Sequence, residues 1–161
     1  VRRRTLLSLA GASSLSGLAG CSFASSSSSS PPIPDIEATE ITARDRTCSD
    51  SQEGTATVES EGDDTLLITG RIAVPRIRDA LYIDATNGGE YQDLDETAIE
   101  ARIDFGPSDP RAATDVPECA GRIDYRAELA VSELPTEVVV RHTVEDEDGF
   151  RLGTIAEQPI D

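Results

Sequence analysis

The sequence predicts a mainly β fold, two antiparallel sheets packed as a β-sandwich, set behind an N-terminal segment that is not part of it. Three observations carry this. From Asp35 onward apolar residues recur at every second position, the period of a half-buried strand. Clusters of Gly, Asp, Asn and Pro punctuate those runs. Only two stretches, Pro75–Tyr82 and Tyr91–Glu100, carry spacing that a short helix can use.

The strands follow in order. Weaker ones fit Ile36–Thr42 and Thr55–Glu59. Leu66, Ile68, Gly70, Ile72 and Val74 then share one face of a strand, and Leu81–Ala85 is another weak one. Ile99, Ala101, Ile103 and Phe105 alternate with Glu100, Arg102 and Asp104. Ile123, Tyr125, Ala127, Leu129 and Val131 alternate with Arg122, Asp124, Arg126 and Glu128. Val138, Val140, His142 and Val144 share a face, and Phe150–Ala156 closes the series. Turns are signalled by Glu61-Gly62-Asp63-Asp64, Asn87-Gly88-Gly89, Gly106-Pro107 and Asp146-Glu147-Asp148-Gly149. Seven or eight short strands between Asp35 and Asp161 suit an immunoglobulin-like architecture. The chain lacks the Trp of true immunoglobulin domains, and Tyr125 follows Cys119 instead of preceding it.

Ahead of the domain, residues 1–20 read as an export signal. Arg2, Arg3 and Arg4 precede an uncharged run from Thr5 to Gly20. That run is too short and too rich in Ser and Gly for a stable membrane span, which takes about 20 apolar residues. Arg3-Arg4 followed by Leu6-Leu7 resembles a twin-arginine signal, and Leu18-Ala19-Gly20-Cys21 resembles the lipobox of prokaryotic lipoproteins. That resemblance makes Cys21 the lipid attachment site, the new N-terminus and the link to a membrane. Residues 22–34, SFASSSSSSPPIP, are a Ser- and Pro-rich tether with too little apolar surface to offset the entropy of ordering it. The single Asn, Asn87, sits in no glycosylation sequon.

Three cysteines in an exported chain leave one over. With Cys21 lipidated, Cys48 and Cys119 form an even pair in an oxidising setting, where disulfides persist. Two buried thiols and a metal pair are the alternatives, although two Cys and one distant His make a poor zinc site. The absence of an immunoglobulin pattern places the bridge away from the sandwich centre. It pins a loop near Cys48 to the start of the strand after Cys119.

The charge is extreme. The chain has 31 acidic residues and 14 basic ones, all Arg, with one His and no Lys, Trp or Met. Without the first twenty residues the net charge is −20. This excludes nucleic acid as a partner, since phosphate binding needs a cationic footprint. It also strains any compact state by self-repulsion, which molar salt screens by shortening the Debye length to about 3 Å. Excess acid, absent Lys and modest aliphatic content resemble proteins of extreme halophiles, surrounded by diffuse counter-cations. The stretch Cys119–His142, C-x-x-x-I-D-Y-R-A-x-L followed by E-L-P-x-E-V-V-V-R-H, resembles the C-terminal half of small uncharacterised haloarchaeal lipoproteins. Together with the signal, this resemblance implies a twin-arginine-exported protein, lipid-anchored to the outer face of the cell membrane. It implies no activity.

Candidate chemistry is sparse. His142 lies on the Val138–Val140 face and is expected to pack or hydrogen-bond there, not to act in catalysis. Asp93, Asp95 and Glu96 form one acidic cluster; Glu145, Asp146, Glu147 and Asp148 form another. Neither has the ligand spacing of an EF-hand. No phosphate loop, nucleophile elbow or H-E-x-x-H occurs, so no catalytic residues, metal ligands or cofactor are assigned. The expectation is a non-enzymatic β-sandwich module in envelope structure or surface protein contact. The alternatives are a ligand- or ion-binding accessory lipoprotein of a transport or redox system, which needs a pocket with convergent polar groups, and a small hydrolase, which needs a perturbed carboxylate pair in a cleft.

Overall fold

The structure, a computed structural model, describes residues 32–88, 93–109 and 115–160. Arg3, Arg4, Cys21 and the tether as far as Pro31 lie outside the described residues. Eight strands form: β1 (Ile36–Cys48), β2 (Thr55–Ser60), β3 (Thr65–Val74), β4 (Ala80–Asn87), β5 (Ala98–Gly106), β6 (Gly121–Val131), β7 (Glu137–Asp146) and β8 (Gly149–Pro159). Each contains one of the expected runs. Pro75–Tyr82 is a turn leading into β4 instead of a helix, and the end of Tyr91–Glu100 is already β5. The packed chain begins at Pro34, which is buried, one residue ahead of the expected boundary.

The strands make two four-stranded sheets, ordered β1-β6-β3-β2 and β4-β5-β7-β8. β6 is the clearest example of why the sequence folds this way. Every odd-numbered residue from Gly121 to Val131 is buried, while Arg122, Asp124, Arg126 and Glu128 face away. Its apolar face meets Leu66, Ile68 and Ile72 of β3, and these pack with Ile99, Ala101 and Ile103 of β5 and Val138 and Val140 of β7. One core cluster therefore draws on both sheets, as a sandwich requires. It is aliphatic apart from Tyr125, and each fully buried Ile or Leu contributes roughly 1.5–3 kcal/mol.

Two features depart from the expected pattern. The layering is that of an immunoglobulin-type sandwich, but the connectivity is different. Immunoglobulin domains put the first strand beside the second, whereas β1 here pairs with β6 and β2 occupies the opposite edge. The second sheet is also not wholly antiparallel, because β5 and β7 run parallel, with Ile99 opposite Val138 and Ile103 opposite His142. The chain leaves β5, crosses to the other sheet as β6, and returns as β7 in the direction it left.

β1 runs six residues past its expected end at Thr42. Its register against β6 shifts between Ala43 and Arg46, so Arg44 and Asp45 together face Asp124. Such a bulge reverses the side on which later residues point. Arg44 stays on the outer face, while Arg46 turns the other way and donates to the carbonyls of Ile77 and of Asp79, the latter at 2.8 Å. That bond fastens the β3–β4 turn to the end of β1.

The same corner carries the disulfide. Cys48 and Cys119 are joined, with Cα atoms 5.7 Å apart. Around them Ile77 N–H donates to the Cys119 carbonyl at 2.9 Å, and Ser49 N–H to that of Ala120 at 3.1 Å. Gly121 sits so close that a Cβ there would lie 2.1 Å from the Thr47 carbonyl oxygen and 2.5 Å from Ile77 Cγ2. The bridge thus ties the end of β1 to the segment entering β6, away from the centre of the sandwich, as expected.

The bridge closes a sequence separation of 71 residues. The loop-entropy relation then gives a stabilisation on the order of 4 kcal/mol. Intact-mass measurement should show a gain of two hydrogens on reduction and no free thiol at Cys48 or Cys119 before it. The Cys48→Ser/Cys119→Ser variant should unfold at clearly lower denaturant. An unchanged midpoint would show that the hydrogen bonds of the corner suffice without the bridge.

Candidate functional site

The single His is a core residue. His142 is fully buried on the inner face of β7. Its Nε2 lies 2.8 Å from the Tyr125 hydroxyl, and the rings meet edge to face at 5.6 Å. The two side chains come from opposite sheets and occupy space left by glycines. A Cβ on Gly70, directly opposite Tyr125 in the β3–β6 register, would lie 2.5 Å from the phenol oxygen. One on Gly54 would lie 2.8 Å from His142 Nδ1. Nδ1 itself has no hydrogen-bond partner. Desolvation lowers the imidazole pKa to about 4 and raises that of the Tyr125 phenol, so both are neutral at pH 7. A neutral pair sealed in an aliphatic core holds the two sheets in one alignment, and it is not placed to meet a substrate.

A second buried polar group is Glu100, on the outer face of β5 and 1% exposed. It is paired with Arg102, its neighbour two residues along the strand, and with Arg141 of β7, whose Nε is 3.1 Å from Oε2. Arg141 also reaches Asp93 at 3.7 Å. The parallel register sets Arg102 beside Arg141, and so brings both guanidiniums to one carboxylate. Removing one partner of such a pair costs about 3–5 kcal/mol, because the other charge is left buried. Alternation along the strand puts Glu100 on the face opposite Ile99, Ala101 and Ile103. The Glu-x-Arg spacing was the available signal, but it does not show that the face is covered.

The two acidic clusters stay apart, and several of their members are engaged locally. Asp95 Oδ1 accepts from the Thr97 N–H at 3.0 Å and from its hydroxyl at 2.9 Å, which holds the carboxyl below the usual range. Asp146 accepts from Arg151 Nε at 2.6 Å and from Asp148 N–H at 3.0 Å, with the same effect. These bonds shape the β7–β8 hairpin, whose Gly149 takes a φ of 122°, a conformation open to glycine. Among the described residues, no group of three His, Cys, Asp or Glu side chains is arranged to hold a metal ion.

One depression lies on the outer face of the first sheet. It is shallow, about 580 Å³, and is lined by Arg44 of β1, Asp124 and Arg126 of β6, Thr69 and Arg71 of β3, and Thr55 and Thr57 of β2. Arg71 grips Asp124 through two parallel bonds, the longer 3.2 Å, and this hydrogen bond draws the Asp124 pKa down. Thr57 and Thr69 join hydroxyl to hydroxyl at 2.8 Å. No sequence motif marks this site, because its members come from four strands. The described residues set no nucleophile beside a base within it. Compared with known proteins, the chain matches no protein family, no curated protein and no solved structure.

The His142 pair makes a testable demand on stability. The folded pKa lies below the free value of 6.5, so the contribution of the neutral imidazole is complete above pH 6.5 and is lost as pH falls toward 4. Over that window wild type should lose about 3 kcal/mol relative to His142→Leu, which has nothing to protonate there. Urea melts of both proteins from pH 7 to pH 4 measure this, with the carboxylates cancelling in the difference. Equal pH slopes would contradict it.

Proposed function

We propose that this protein is a lipid-anchored, non-enzymatic β-sandwich module at the surface of a halophile, held through Cys21 and acting in envelope structure or in contact with other surface components. The observation that carries the non-enzymatic part is the burial of His142. The one side chain suited by default to proton transfer near neutral pH lies in the core with its imidazole against Tyr125. The anchoring part is supported by the sequence Leu18-Ala19-Gly20-Cys21 at the end of a twin-arginine-like signal, followed by a Ser-rich tether. A disulfide at the corner of the domain suits an oxidising exterior. The ligand-binding alternative is supported by one feature, the arginine-lined depression on the outer sheet face. The same polar opening, without a nucleophile–base pair, gives the hydrolase reading no support.

Cell fractionation tests the anchoring. Cys21→Ser should move the protein from membrane to medium or leave an uncleaved precursor. Arg3→Lys with Arg4→Lys should leave it inside the cell. A Cys21→Ser protein that is processed normally and stays in the membrane fraction would overturn the lipid assignment.

Salt tests the halophile part. The compact state concentrates repulsion that the unfolded chain relieves by expanding, and salt screens it. High salt also strengthens apolar burial when the ions are excluded from the surface. The Tm should therefore be markedly higher in ~3 M KCl than in ~0.1 M. A flat Tm across that range would count against adaptation to salt.

A further inference from the structure

We infer that the outer face of the β1-β6-β3-β2 sheet is a binding site for a sugar acid, a hydroxyl-rich ligand bearing a carboxylate, held by Arg44 and Arg126 with Arg71 and the threonines of β2 and β3 beside them. This deepens the ligand-binding reading and is independent of how the chain is anchored.

Beyond residue 20 the chain has eleven Arg against 31 acids. Three of those eleven line a single depression that contains one carboxylate, and that carboxylate is already engaged by Arg71. A fourth, Arg122, lies two residues before Asp124 on the same strand face and adds to the positive field there. In a chain of net −20, three guanidiniums around one engaged carboxylate form a local concentration of positive charge, flanked by Glu61 and Glu128 beside Arg126 and by Glu40 in the adjoining hollow.

Arg44 lies on the outer face by ordinary alternation after Ala43, and the β1 bulge beyond it turns Arg46 away to the β3–β4 turn. Arg44 forms no hydrogen bond or ion pair with any described residue. Arg126 has only two long, exposed contacts, 3.8 Å to Glu61 and 3.8 Å to Glu128, and pairs of that kind are worth little. A carboxylate that meets the fork with two parallel bonds can displace such pairs. Arg71, on β3, is paired with Asp124 across from Arg44 on β1. Arg44 and Arg126 also line a second, adjoining depression with Glu40, Thr42 and Glu128, so they stand as a ridge between two hollows.

The ligand class follows from what lines the hollow. Guanidinium forks match a carboxylate with two parallel bonds. Thr55, Thr57 and Thr69 offer hydroxyls, which donate and accept, as a sugar ring's hydroxyls require. A sugar acid can meet the guanidiniums with its carboxylate and the threonine row with its ring hydroxyls at once, within a depression of about 580 Å³. In ~2 M salt the ligand senses only the groups it touches, because screening confines the net charge behind them to a few Å.

The test is calorimetric titration of the full chain in ~2 M KCl, with galacturonate, trigalacturonate, neutral galactotriose and tetraglutamate as probes. Saturable binding of the uronates is expected, and none of galactotriose or tetraglutamate. A trimer that binds more tightly than the monomer points to an acidic glycan, and equal affinities to a free sugar acid; either supports the inference. Arg44→Ala/Arg126→Ala should weaken uronate binding by about tenfold or more with Tm unchanged. Arg44→Lys/Arg126→Lys should recover only part of the loss, because charge returns without the fork. Absence of uronate binding, equal binding of tetraglutamate, or an unaffected double-Ala variant would each overturn the inference. None of these results bears on the anchoring, which is read from fractionation.

Discussion

The structure depends on the alternation of β6. This strand pairs with β1 on one side and β3 on the other, so its two faces define the inside and outside of a whole sheet. Its inner series brings Ile123, Ala127 and Leu129 to the core and Tyr125 to His142. Its outer series brings Asp124 to Arg71 and sets Arg126 beside Arg44. A slip of one residue would exchange the two series, burying four charged residues and exposing the core. The start of the strand guards against that slip. Gly121 faces Cys48 on one neighbour and Val74 on the other, and it fits only because it lacks a Cβ.

What could be read from the sequence follows from the same constraint. Period-two spacing identifies a strand and its core-facing series, so the inner faces of Leu66–Val74, Ile99–Phe105 and Ile123–Val131 were legible. It carries no information about which strands become neighbours. Hence the parallel β5–β7 pair and the return of β6 to pair with β1 were not legible. The second half of β1 was hidden for a different reason. The expected strand stops at Thr42, because the bulge at Arg44 and Asp45 interrupts the alternation there. The disulfide was legible from cysteine count and compartment. His142 was legible as a packed residue, but its partner was not, because Tyr125 lies on a strand of the opposite sheet and nothing in spacing relates the two. The burial of Glu100 was not legible, because a single strand shows which face a residue is on, not whether another segment covers that face.

The two outer faces use arginine in opposite ways. On the second sheet, Arg102 and Arg141 close on Glu100 and remove a carboxylate from water. Their forks are engaged, and the arrangement adds rigidity to a parallel pair that has fewer local constraints than a hairpin. On the first sheet, Arg71 is fixed by Asp124, while Arg126 has only two long, exposed pairs. The neutral contact of Tyr125 with His142 carries no net charge into the aliphatic core. Among the described residues, the buried carboxylates Glu100 and Asp79 are each paired with arginine, and the other acids lie toward the surface.

The position of the disulfide along β1 has a mechanical meaning. β1 enters the sheet at Ile36, opposite Val131, and the bridge lies at the other end, where Cys48 faces Gly121. A pull on the chain ahead of Pro32 would open the β1–β6 ladder one hydrogen bond at a time from the Ile36 end. At about 3.3 Å per residue, the thirteen residues of β1 would pay out some tens of Å of chain. There the covalent link would take the load and pass it to the segment entering β6. Peeling is thus confined to an edge strand, and a domain under drag would lengthen its own leash before its core is disturbed.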